Sequence, residues 1–166
     1  MQQSDGSPKE STDVTHVDRL AQLGTLPRMP RGAGVFVRER NDLFFAVGTM
    51  RPEIAALFGW TQGNIWLHER DRAYITATKR VFPDLLAAIE ELLANPLSIH
   101  RDRRSTHAAY FVITRASLQQ HGMVTTSPNR LVDGVVKWIQ TDDGAYLRLT
   151  HFSPVYQNQG LAQVWP

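Results

Sequence analysis

The stretch Leu131–Ser153, LVDGVVKWIQTDDGAYLRLTHFS, decides how this chain is read. Two runs rich in β-branched and aromatic residues flank TDDG, whose Asp and Gly suit a tight reversal, so the stretch reads as a β-hairpin. Side chains alternate across a strand. Leu147, Leu149 and His151 then share one face, and Tyr146, Arg148, Thr150 and Phe152 the other. His151 falls on the core side unless the strand bends before Pro154. In the preceding strand Val136 and Trp138 oppose Val135, Lys137 and Ile139; in HAAYFVIT, Phe111 and Ile113 oppose Tyr110, Val112 and Thr114. With PLSIH added, this gives three or four antiparallel strands.

Helices precede them. Thr49 is a candidate cap, Pro52 suits a first turn, Glu53 offsets the helix dipole, and Gly59 ends the apolar run IAALFGW. NIWL is a short extended piece, followed by a helix from about His68 to the boundary at Pro83. In Asp84–Ala94, DLLAAIEELLA, Leu85, Leu86, Ile89, Leu92 and Leu93 recur at helical spacing with Glu90 and Glu91 turned outward. GVFVRE and DLFFAVG, joined by the polar RERND, form a first strand pair. The expected fold class is therefore α+β: N-terminal helices on one face of a 3–5 stranded antiparallel meander in the C-terminal half. Residues 1–31 read as a polar, partly disordered segment, in which Val17, Leu20 and Leu23 allow a helical turn or two that docks on the body. Residues 32–166 read as one domain.

Composition narrows the chemistry. A chain of 166 residues that is 42% hydrophobic suits a globular protein, and its lack of cysteine excludes disulfides, thiolate chemistry and Cys-ligated metal sites. No apolar run approaches the ~20 residues needed to span a bilayer, and the start lacks a signal peptide's hydrophobic segment, so a cytoplasmic site of action is expected. The net charge is only +2, but residues 97–132 hold five arginines (101, 103, 104, 115, 130) against the single acid Asp102. This window is either a footprint for a phosphate-bearing partner or a solvated connection. No phosphate loop, dinucleotide fingerprint or nucleophile elbow is present, and no two histidines stand at helical ligand spacing, so neither cofactor nor metal is expected.

If the helices cover Leu147/Leu149, Val136/Trp138 and Phe111/Ile113, the open face shows Tyr110, Thr114, Lys137, Tyr146, Arg148 and Thr150. Such a face can hold phosphate between Lys137 and Arg148 and stack a base on tyrosine; equally, polar residues are what any wet sheet face carries. Metal-independent RNA cleavage asks for little more. A base takes the 2′-OH proton, an acid protonates the leaving oxygen, and cations stabilise the charge on phosphorus.

The order of NIWLHERDRAYITATKRVFPDL, LLANPLSIHRD, AAYFVIT and AYLRLTHFSP, over about residues 43–155, resembles phage-associated members of the barnase–EndoU–colicin–RelE nuclease superfamily. Those domains occur in phage head-morphogenesis and polymorphic-toxin proteins. The resemblance implies helices followed by a four-stranded antiparallel sheet and metal-independent cleavage of RNA, often transfer RNA. By position it makes Arg80, Lys137, Arg148, Thr150 and His151 the catalytic set. Lys79, Arg101, Arg103, Arg104, Tyr110 and Tyr146 are the nucleic-acid contacts that go with it. An immunity protein or a host protein is the expected partner besides RNA. One departure matters: the relatives carry histidine on the helix, where this chain has Tyr74 and Lys79-Arg80, and arginine cannot shuttle a proton near neutral pH. The chain is then either a nuclease with relocated chemistry or an inactive relative that only binds.

Overall fold

A computed structural model describes residues 14–61, 63–78, 84–104, 106–119, 131–153 and 161–166. The hairpin is its centre: β7 (Leu131–Thr141) and β8 (Gly144–Ser153) pair antiparallel through the turn at Asp142-Asp143. Gly144 closes that turn at φ +156°, a backbone setting that glycine adopts without strain, while Thr141 Oγ1 donates to its carbonyl at 2.8 Å.

On one side of the hairpin β6 (Ala108–Thr114), β5 (Ser98–Asp102) and β9 (Leu161–Trp165) add in that order, all antiparallel. On the other side β8 runs parallel to β4 (Asn64–His68), with Ile65, Trp66 and Leu67 against Leu147, Arg148 and Leu149. Then come β3 (Asp42–Thr49), β2 (Gly34–Val37) and β1 (Thr15–Val17), the last parallel to β2. Among the described residues the sheet thus has nine strands of mixed direction.

This corrects the expected architecture. The sheet is far larger than three to five strands, it is not purely antiparallel, and its helices are threaded between strands rather than gathered at the N-terminus. They are α1 (Pro52–Phe58), α2 (Glu69–Thr78), α3 (Leu85–Ala94) and α4 (Arg115–Gln119). The reason lies in β4. All five of its residues are buried, because Trp66 packs on one side of the sheet and Ile65 and Leu67 on the other. A strand covered on both faces loses the apolar–polar alternation that identifies half-buried strands, and its neighbour β8 is some eighty residues away, so nothing local announces the pairing.

Two cores result. Helices α1, α3 and α4, with Ile75 of α2, cover Ile65, Leu67, Phe111, Ile113, Val136, Leu147, Leu149 and Phe152. Asp84 caps α3 by accepting from Ala87 N–H at 3.0 Å, and the helix sits so close to β7 that a Cβ on Gly134 would stand 2.5 Å from Leu92. α1 ends at Gly59, in the left-handed region at φ +72°. Its N-cap position is Arg51; Thr49, the expected cap, is the last residue of β3.

The second core lies on the other face, where Val17, Leu23, Val35, Val37, Phe44, Ala46, Trp66 and Tyr146 pack together. Its cover is the segment before β2, including a 3₁₀ turn at Leu20–Gly24. The Trp66 indole donates to the Leu23 carbonyl at 3.0 Å, and Asn64 accepts from Met29 N–H while donating to the Pro27 carbonyl, both at 2.9 Å. Gly24 has no room for a side chain: a Cβ there would fall 1.9 Å from the Ala145 carbonyl oxygen. Among the described residues no helix is long and apolar enough to cross a membrane.

Leu23 is wholly buried between the arm and the sheet. Leu23→Ala is expected to destabilise the fold by about 2–5 kcal/mol in urea unfolding followed by tryptophan fluorescence. A loss under about 1 kcal/mol would show that the arm is only loosely seated.

Candidate functional site

The candidate site is made by an irregularity in β8. Val136 pairs with Leu149 and Val135 with His151, so Thr150 is an extra residue, a β-bulge. Its hydroxyl donates to the Val135 carbonyl at 3.4 Å. Past the bulge the alternation is reversed. Phe152 joins Leu147 and Leu149 under the helices, and His151 is turned outward with its side chain 49% exposed. The face assignment made from strict alternation is corrected here: His151 is not on the core side, and Phe152 is.

The reversal brings His151 to the face that also carries Lys137 and Arg148. Partners across a sheet share a face, and register gives two neighbouring rows. One runs Arg148–Lys137–Ala108, the next His151–Val135–Tyr110–His100. Lys137 is exposed and Tyr110 half-buried. Beside His151 lies Asp133, whose side chain is only 8% exposed; its Oδ1 stands 3.5 Å from His151 Nε2 and makes no hydrogen bond among the described residues. A buried carboxylate oxygen without a hydrogen bond is costly, about 1–3 kcal/mol for an ordinary polar group and more for a charged one, and such sites are common where chemistry is done.

Helix α2 supplies the wall. It begins directly after β4, which lies alongside β8, so its first turns pass over Arg148–Phe152. Asp71 accepts from Arg148 Nη2 at 2.8 Å, and Asp71, Tyr74 and Ile75 line a hollow of about 110 Å³ with Thr150, His151 and Phe152. Arg148 is partly desolvated, which works to lower its pKa, but the hydrogen bond and charge of Asp71 and contact with Tyr146 outweigh this and raise it.

The remaining expected residues separate. Tyr146 is buried beneath the N-terminal arm, and burial pushes its phenol above its ordinary range with Arg148 opposing. Arg101 pairs with Ala109 and so lies on the helix side of the sheet, away from His151. Arg103 and Arg104 are exposed in the turn after β5, where Arg104 N–H donates to Asp102 at 2.8 Å. Lys79 and Arg80 lie outside the described residues. Sequence reading missed Asp71, Asp133 and the pair of buried His68 with half-buried Asp42 (Nε2 to Oδ1 3.2 Å). Asp133 did leave a signal, as a carboxylate on the polar face of an otherwise apolar strand. Among the described residues no three His, Asp or Glu side chains gather as a metal site.

Compared with protein-family models, curated proteins and solved structures, the chain matches none.

At the far end of the His151 row, His100 is buried against Ser98, Oγ to Nε2 3.0 Å, and burial lowers its pKa. The unfolded chain therefore takes up this proton at a higher pH than the native one, and the resulting stability, present above the ordinary histidine range near 6.5, is lost as pH falls below it. The melting temperature should drop from pH 7 to pH 5, and less steeply in His100→Leu. Equal slopes would rule out His100 as a source of the acid sensitivity.

Proposed function

We propose that the chain is a metal-independent ribonuclease of the phage or polymorphic-toxin type, acting on RNA in the cytoplasm, with transfer RNA a candidate substrate. The observation that carries this reading is the Thr150 bulge, which sets a histidine backed by a buried carboxylate on the same face as two cations. Asp133 faces Nε2 of the imidazole across 3.5 Å as its charge partner, leaving Nδ1 to exchange a proton with the substrate. His151 takes the proton from a ribose 2′-OH; the 2′-oxygen bonds to phosphorus, and the bond from phosphorus to the 5′-oxygen breaks as that oxygen takes a proton from water. Lys137 and Arg148 stabilise the charge on the phosphoryl oxygens, and Thr150 helps orient them. Tyr110, in the His151 row, offers a ring to an unstacked base. An immunity protein that covers this face would silence it.

A second reading, a module that binds RNA or a host protein without cleaving, is favoured by a different observation: Arg148 is already committed to Asp71.

Incubation of purified protein with total RNA in EDTA separates the two. Cleavage is expected to persist in the chelator and to fall by about 10²–10⁴ in His151→Ala, the usual range for a general acid or base. Adding Arg148→Ala should abolish it. Undiminished cleavage by that double variant would end the site assignment, and intact RNA with wild-type protein would leave the binding reading.

A further inference from the structure

Asp71 has two sides. Toward His151 it lines the hollow described above; on its other side lies a separate cavity of about 210 Å³ that it shares with Arg40, Asp42, His68, Arg70 and Arg148. Three guanidiniums thus meet two carboxylates in a small space, and the way the carboxylates are used is informative.

Asp42 is taken by His68. The His68 Nδ1 accepts the Arg70 backbone N–H at 3.1 Å, so its proton resides on Nε2, which faces Asp42 at 3.2 Å. Asp71 is taken by Arg148. Arg40 and Arg70 are left with no hydrogen-bond or ion-pair partner for their guanidiniums among the described residues, and Arg148 Nε, buried in the same wall, has no hydrogen-bond partner either. Like charges converging on one hollow repel one another, and the two charged side chains here without an ion-pair partner among the described residues are both cationic donors. Tyr146 adds a hydroxyl to this wall; burial, opposed by Arg148 and Arg40, raises its pKa, so it remains a neutral donor. A hollow lined by uncommitted planar guanidiniums and a phenol suits a phosphate oxyanion, which guanidinium groups grip through paired N–H donors.

We propose that this cavity is a phosphate-binding subsite, taking a phosphate group of the RNA chain that neighbours the one cleaved at His151. The RNA assignment rests on the ribonuclease reading; phosphate binding by the cavity does not. Asp71 is the shared wall, so an RNA strand crossing β8 meets both hollows in succession. Arg40 and Arg70 supply the grip. Neither belongs to the cleavage set.

The test uses inorganic phosphate and a 2′-O-methyl RNA oligonucleotide, which cannot be cleaved because its 2′-oxygen carries no proton. Wild type, Arg40→Gln, Arg70→Gln, the double variant and the control Arg28→Gln are compared, with melting curves to confirm folding. Inorganic phosphate should shift amide signals of the cavity residues in wild type and not in the double variant. For the oligonucleotide, the dependence of log K on log salt should flatten by about 0.7 for each arginine lost, as expected for one phosphate contact to a single strand, with at least about tenfold weaker binding in the double variant. The control should keep the wild-type slope. An unchanged slope in the double variant overturns the RNA assignment, and if inorganic phosphate still shifts the wild-type signals, the cavity serves free phosphate instead. Absence of those shifts overturns the subsite altogether. Failure of cleavage with the slopes behaving as expected would count against the ribonuclease reading alone.

Discussion

Strand β8 must place Leu147 and Leu149 under the helices and Phe152 beside them. Positions 149 and 152 differ in parity, and a regular strand cannot point both the same way. The chain resolves the conflict by inserting Thr150 without a partner in β7. The energetics favour it. A bulge sacrifices one ladder hydrogen bond, about 0.5–1.5 kcal/mol net, whereas burying a phenylalanine contributes about 1.5–3 kcal/mol. A regular strand would also carry the His151 imidazole into an apolar core. The same insertion that seals the core therefore turns a histidine to solvent, next to a carboxylate the sheet has already buried.

The rest of the site follows from where β8 sits. Its parallel contact with β4 sends the chain straight into α2, which delivers Asp71, Tyr74 and Ile75 over the strand's second half. Its first half is closed, on the face that carries Tyr146 and Arg148, by the 3₁₀ turn at Leu20–Gly24, which presses on Ala145 and covers Tyr146. Arg19 adds an ion pair to Asp143 at the hairpin tip. The cationic face is bounded as a result: sealed at Tyr146, walled at Asp71, and open at Lys137 and His151.

Local physics carried part of this. The hairpin was legible from TDDG between two β-rich runs, α3 from the spacing of Ile89, Leu92 and Leu93, and the end of α1 from Gly59. The alternation in β6 and β7 also sorted Phe111, Ile113 and Val136 from Tyr110, Val135 and Lys137 as the structure does. What failed was long-range. GVFV and DLFFAVG do pair as expected, but NIWLH looks like a minor extended piece, and only tertiary pairing makes it a central strand that joins that pair to the C-terminal strands. The bulge was hidden for another reason: Thr150 is an ordinary strand residue, and nothing in YLRLTHFS marks which position lacks a partner. Only the later demand of Phe152 for burial reveals it. Arg101 shows the reverse error, a charge count along the chain that ignored which face of the sheet each residue takes.

The most direct test exploits the absence of cysteine from the chain. Single substitutions Leu147→Cys, Leu149→Cys, His151→Cys and Phe152→Cys, each labelled with a thiol reagent under native conditions, report which side of β8 every position faces. Slow labelling at 147, 149 and 152 with fast labelling at 151 is the pattern that a bulge at Thr150 dictates. Protection at 151 together with rapid reaction at 152 would mean an unbroken strand, a histidine inside the core, and no site of the kind described.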